Sequence, residues 1–124
     1  MIVGVSLEGA IDDQGRDFVV MMPQEGFVRL IECIESTLSS GGAFTLRFGG
    51  TQAIHFRPAM MVDYRASACE DGSLSVSLSR ASFSDLAERL APLCRQDAHV
   101  DRVHFDVCGD QTKPDIEALV FELL

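Results

Sequence analysis

One stretch restricts the fold more than any other. Met60, Val62, Tyr64, Ala66 and Ala68 recur at every second position, Glu70-Asp71-Gly72 interrupts them, and Leu74, Val76 and Leu78 resume the alternation. A period of two buries one face of a strand, and a turn signal between two such runs makes a hairpin. Loop parity then decides the register. A three-residue loop with Gly72 left-handed sets Ala68 opposite Leu74, Ala66 opposite Val76 and Tyr64 opposite Leu78, so the apolar side chains share one face.

The same test carries to the rest of the chain. Val3, Val5, Leu7 and Ile11 occupy odd positions and predict one strand over residues 2–11. Asp12-Asp13-Gln14-Gly15 are turn formers, and Asp17 to Met22 reads as the second arm of a hairpin. Phe44, Leu46 and Phe48, then Gly49-Gly50, then Ile54 and Phe56 predict another hairpin. A loop of Phe48, Gly49 and Gly50 places Phe44 opposite Ile54. Pro58 marks a bend, because proline cannot donate to a ladder. Residues 100–107 and 116–123 match in class at nearly every position and read as strands. Residues 115–123 also fit a short helix capped by Thr112 and Asp115 with Ile116, Leu119, Val120 and Leu123 as its stripe, and the sequence leaves both readings open.

Two segments change period. After Pro23, Phe27, Leu30, Ile31, Ile34 and Leu38 follow helical spacing as far as Ser39-Ser40-Gly41-Gly42. Phe83, Leu86, Ala87, Leu90 and Cys94 form a second stripe, with Ser82 as the expected cap, Asp85 three residues on, and Pro92 shortening the last turn. Laying the halves over each other at a step of 56 aligns Val20 with Val76, Phe27 with Phe83, Leu30 with Leu86, Glu32 with Glu88 and Ile34 with Leu90. The expected architecture is a single α+β domain over 1–124, ordered ββαββ-ββαββ. It is a two-layer arrangement of a mainly antiparallel sheet with two helices on one face.

With 124 residues and 47% hydrophobic content, the chain can build its own core. Its apolar runs fall far below the roughly 20 residues that cross a bilayer, and Met1 to Glu8 resembles no leader, so a cytoplasmic location without membrane attachment is expected. Cys33, Cys69, Cys94 and Cys108 are spread singly, without zinc or redox spacing, and read as small reduced hydrophobes. Nine arginines against Lys113 alone fit GC-rich bacterial or phage coding. No glycine-flanked nucleophile or phosphate-cradling loop is present. His55 and His104 should point outward, and with His99 they show no ligand spacing. No catalytic residue, metal or cofactor is therefore expected.

Charge points to a partner. The net charge is −9, and residues 97–124 hold −5 of it through Asp97, Asp101, Asp106, Asp110, Asp115, Glu117 and Glu122 against Arg102 and Lys113. Such a field repels phosphate backbones and favours a basic protein. These seven carboxylates are the candidate partner-binding residues. Arg47, Arg57 and Arg65 alternate outward on the middle strands, either pairing with neighbours such as Asp63 or offering a contact to carboxylate or phosphate. Without tryptophan and with Tyr64 alone, an interface would lean on charge. In size, acidity and layout the chain resembles the immunity proteins that bacteria make against delivered toxins, and some phage inhibitors of defence systems. That resemblance implies an inhibitor docking on a basic toxin or effector surface. Two other readings are a client-binding secretion chaperone and a small ligand-binding domain or enzyme.

Overall fold

The structure, a computed structural model, describes residues 3–14, 17–48, 52–59, 64–68, 73–95, 100–106 and 118–124, with backbone alone for 3–6, 13–14 and 64–68. Among them are strands β1 (Val3–Ser6), β2 (Ala10–Gln14) and β3 (Asp17–Met22), helix α1 (Gln24–Ser40), and strands β4 (Phe44–Arg47), β5 (Ala53–Pro58), β6 (Tyr64–Ala68) and β7 (Leu74–Leu78). Helix α2 (Arg80–Leu90), a 3₁₀ turn (Ala91–Cys94), β8 (Arg102–Asp106) and β9 (Ala118–Leu123) follow. The fold is α+β with two helices, as the periodicities imply. Among the described residues antiparallel pairs predominate, four against three parallel ones.

The strands divide between two sheets, ordered β1-β4-β5-β7-β6 and β2-β3-β9-β8, called here sheets A and B. Local patterning shows hairpins but not which hairpins adjoin. Here the hairpins are exchanged between the halves. Sheet A joins β4-β5 of the first half to β6-β7 of the second, while sheet B joins β2-β3 of the first to β8-β9 of the second. Both junctions are parallel and in equivalent register: Phe18, Val20 and Met22 pair with Leu119, Phe121 and Leu123, as Leu74, Val76 and Leu78 pair with Ile54, Phe56 and Pro58. The two helices repeat the relation. The Gln24 side chain donates to the Cys94 carbonyl and the Arg80 guanidinium to the Leu38 carbonyl, and residues 24 and 38 become 80 and 94 by the step of 56 seen in the sequence. The pseudo-repeat is therefore a structural pseudo-two-fold, and each helix packs on both sheets.

Several sequence expectations hold in detail. The β6-β7 register is the one parity demands, with Tyr64, Ala66 and Ala68 opposite Leu78, Val76 and Leu74. Helix α1 ends on Gly41, left-handed at φ 76°, whose N–H closes on the Thr37 carbonyl. Pro92 replaces the last turn of α2 with the 3₁₀ turn, and residues 118–123 are strand rather than helix.

Three expectations need correcting. The first strand is broken in two, because Gly9 at φ 137° turns the chain from sheet A into sheet B. A Cβ there would lie 2.1 Å from the Met21 carbonyl oxygen. Asp12, Asp13 and Gln14 consequently belong to β2, not to a turn, and Gln14 pairs directly with Asp17. In the β4-β5 hairpin Phe44 faces Phe56 and Leu46 faces Ile54, two residues from the expected register. The parity survives, and the shift stacks the Phe44 and Phe56 rings at 4.9 Å. Finally, the cap of α2 is Ser79, whose Oγ accepts the Ser82 N–H at 3.2 Å. Ser82 lies inside the first turn, and Asp85 pairs instead with Arg89 at 3.0 Å.

The core lies where the inward faces meet the helices. Phe27, Phe56, Phe83 and Phe121 are wholly buried together with Leu30, Ile34, Leu86 and Leu90. The outward faces are assigned by the same alternation.

Candidate protein-docking surface

Sheet B carries the described part of the acidic segment. In β8 the burial pattern alternates: Arg102, His104 and Asp106 are exposed while Phe105 is buried. Asp101 is exposed just before the strand. Glu122, half-buried on β9, lies opposite Arg102 with 4.0 Å between the charged groups. His104 Nε2 lies 3.0 Å from a carboxylate oxygen of Asp106. Of the seven candidate carboxylates, the structure thus brings Asp101, Asp106 and Glu122 to one strand pair. Asp97, Asp110, Asp115 and Glu117 lie outside the described residues. Arg102 and His104 interleave with the acids, so this surface is less uniformly negative than composition suggests.

The strand register extends the surface across sheet B. Asp12, Val19, Val120 and His104 form one outward row, and Asp17, Ala118 and Asp106 the next, with the Gln14 backbone in register beside Asp17. The middle of these rows is not open. Val19 is 2% exposed, Val120 1% and Ala118 1%. Among the described residues accessible side chains therefore lie at the two rims, at Asp12 on β2 and along β8, where the candidate carboxylates are, a distinction that alternation alone does not make.

The outward face of sheet A is different in kind. One row runs through Thr45, His55, Ser75 and Ser67, and the next through Arg57, Ser77 and Arg65. Arg47 and Arg57 are exposed. Arg65 shares the row of Arg57 by register, though its side chain and Asp63 lie outside what is described. Thr45 is buried, and its hydroxyl lies 2.9 Å from His55 Nδ1. This contact fixes the imidazole orientation. Small hydroxyl residues and two exposed guanidiniums make a surface suited to anionic groups.

Among the described residues no three His, Cys, Asp or Glu side chains converge as metal ligands. No helix among them is long and apolar enough to cross a membrane. Cys33 and Cys94 are free thiols, half-buried, and burial pushes both above the ordinary thiol range. For Cys33 the neighbouring Glu32 carboxylate adds to the rise and Arg29 opposes it. Cys69, Cys108 and His99 lie outside the described residues.

Two open grooves flank the helix starts. One, of about 260 Å³, lies between the first turns of α2 and the end of β8, where Arg89 stands 5.9 Å from the centre of the Phe105 ring. The other, of about 210 Å³, lies between the start of α1 and Leu7-Glu8. Pro23, Glu25, Gly26 and Arg29 line the second, and a step of 56 turns them into Ser79, Ala81, Ser82 and Asp85, which line the first. The grooves are thus counterparts under the pseudo-two-fold. The sequence repeat was the signal that could have located them. No protein-family model matches this chain, and no curated protein matches it in sequence.

Proposed function

We propose that the protein is a small acidic inhibitor of the immunity type, which neutralises a bacterial toxin by docking on its basic active-site surface. The observation that carries this reading is the exposure of Asp101 just before β8 and of Asp106 at its end, with Glu122 beside them on β9. A rigid ladder holds these carboxylates apart at fixed spacing, which favours a patterned cationic surface over a diffuse one. Opposite charge raises the encounter rate and excludes partners of like sign. The net charge of −9 supplies the long-range attraction, and the cytoplasm is where such an inhibitor would act.

Co-expression with the toxic domain encoded beside it should restore growth. The paired reversals Asp101→Lys and Asp106→Lys should slow association about tenfold at low salt and flatten its salt dependence, while the thermal midpoint stays unchanged. Absence of rescue overturns the inhibitor reading. Rescue with an unchanged association rate moves the interface away from β8.

A further inference from the structure

Sheet A contains a strand with no counterpart in sheet B among the described residues. β1 lies parallel on the outer edge of β4, with Gly4 beside Thr45 and Ser6 beside Arg47. Phe48 N–H donates to the Gln52 carbonyl at 3.0 Å. Antiparallel pairs alternate between bonded and unbonded, so Phe44 and Leu46 bond to β5 while Thr45 and Arg47 turn their backbone groups outward. β1 takes those groups: Leu7 N–H donates to the Arg47 carbonyl at 2.8 Å. The Leu7 side chain packs on the core and walls the smaller groove.

The counterpart of β4 is β8, since Val103 faces Phe121 as Phe44 faces Phe56, and Phe105 faces Leu119 as Leu46 faces Ile54. Leu123 N–H donates to the Asp101 carbonyl at 2.8 Å. By the same alternation Arg102, His104 and Asp106 turn their N–H and C=O groups away from β9. Among the described residues no strand pairs with this edge. The matching groove lies beside it. Its helix wall is equivalent to that of the smaller groove, but its other wall is β8 itself, through Phe105 and Asp106, where the smaller groove has Leu7 and Glu8.

We infer that β8 receives a strand of the basic partner, added parallel to it as β1 is added to β4. The incoming segment alternates. One apolar side chain seats in the groove against Phe105, as Leu7 seats in its counterpart, and the residue before it faces Asp106, as Ser6 faces Arg47. Lysine or arginine fits that place. A second copy of this chain fits poorly, because it would bring another Asp101 and Asp106 and another −9 to the same edge. Main-chain bonds supply affinity in this mode, and alternate side chains supply selectivity. The identity of the partner rests on the inhibitor reading; the edge does not.

The test uses the full-length, isotope-labelled protein and the peptide acetyl-Thr-Val-Ser-Val-Lys-Leu-amide, which copies the alternation of β1 with lysine opposite Asp106. Titration should move the amide resonances of Arg102, His104 and Asp106. N-methylation of the second valine and the leucine, whose N–H groups face the edge, should weaken binding at least about tenfold, whereas N-methylation of the lysine should change it less than about twofold. His104→Pro removes an outward N–H without losing a bond to β9 and should abolish binding. If that variant does not fold, the two methylated peptides decide alone. Insensitivity to the position of methylation, resonance shifts confined to other strands, or a dimer through β8 would overturn the inference. Toxin rescue with a methylation-insensitive peptide removes the edge and keeps the inhibitor; position-dependent binding without rescue does the reverse.

Discussion

Phe27 meets Phe121 with ring centres 6.3 Å apart, and their counterparts Phe83 and Phe56 meet at 6.4 Å. At three solvated places the same comparison reverses sign, although the exposed Glu32 and Glu88 keep theirs. Arg47 and Arg57 on sheet A occupy the places of Asp106 and Glu122 on sheet B, and Arg29 on α1 the place of Asp85 on α2. An interior must fill a fixed volume at crystal-like density, so paired positions keep apolar residues of similar bulk. A solvated position has no such requirement and can change charge freely. The pseudo-two-fold is thus kept most closely in the packing and in the Gln24 and Arg80 hydrogen bonds between the helices, and the functional asymmetry lies in what the halves show to solvent.

The sharpest way to break this comparison is to cut its two halves in turn. Phe56→Ala and Phe121→Ala should each cost about 3–5 kcal/mol, measured by urea unfolding, because both rings are wholly buried. Phe56 should cost more, since it stacks on Phe44 as well as meeting Phe83, while Phe121 meets Phe27 edge-on. A small loss at one site and a large one at the other would show that the cores are not equivalent.

A smaller effect isolates β1, the strand that among the described residues only the first half possesses. Gly9→Ala must hold a side chain at φ 137° and push it against the Met21 carbonyl, for a loss of about 1–3 kcal/mol. Gly41→Ala also has positive φ but meets nothing within 4 Å, so its loss should be the smaller of the two. Equal losses would mean that the close approach of β1-β2 to β3 contributes nothing to the crossing between sheets.

How much of this was legible depended on range. The β6-β7 register followed from residues six to fourteen apart, because a three-residue loop leaves no freedom once one face is buried. The β4-β5 register failed by two, because alternation distinguishes odd from even but not one odd slip from another; ring stacking between Phe44 and Phe56 made the choice. The break at Gly9 was hidden, since a strand that changes sheets keeps its apolar period on either side. Ser79 lost to Ser82 as the expected cap because both precede Phe83 and only backbone geometry separates them. Asp101 and Asp106 were legible as solvated carboxylates. That β8 is a rim strand with an outward ladder was not, because sheet order is a long-range property.

The smallest effect concerns Cys33 and Cys94, which have no cysteine counterparts: their places in the other half are taken by Arg89 and Leu38. Burial holds both thiols above their ordinary range. Below the thiol value of the unfolded chain both states are protonated, and the stabilisation is fully present. As pH rises through the unfolded value and then the folded one, the unfolded chain loses its protons first, so stability falls. Cys69 and Cys108 are the chain's other thiols, and Lys113 and Tyr64 are its sole lysine and tyrosine, so removing Cys33 and Cys94 together is what separates their share from that of the rest. Urea midpoints should therefore drop as the pH rises above the ordinary thiol value of about 8.5. The drop should be smaller in a Cys33→Ala, Cys94→Ala double variant. An equal drop in both proteins would assign the alkaline loss to other groups and leave these thiols as passive filling of the space between helices.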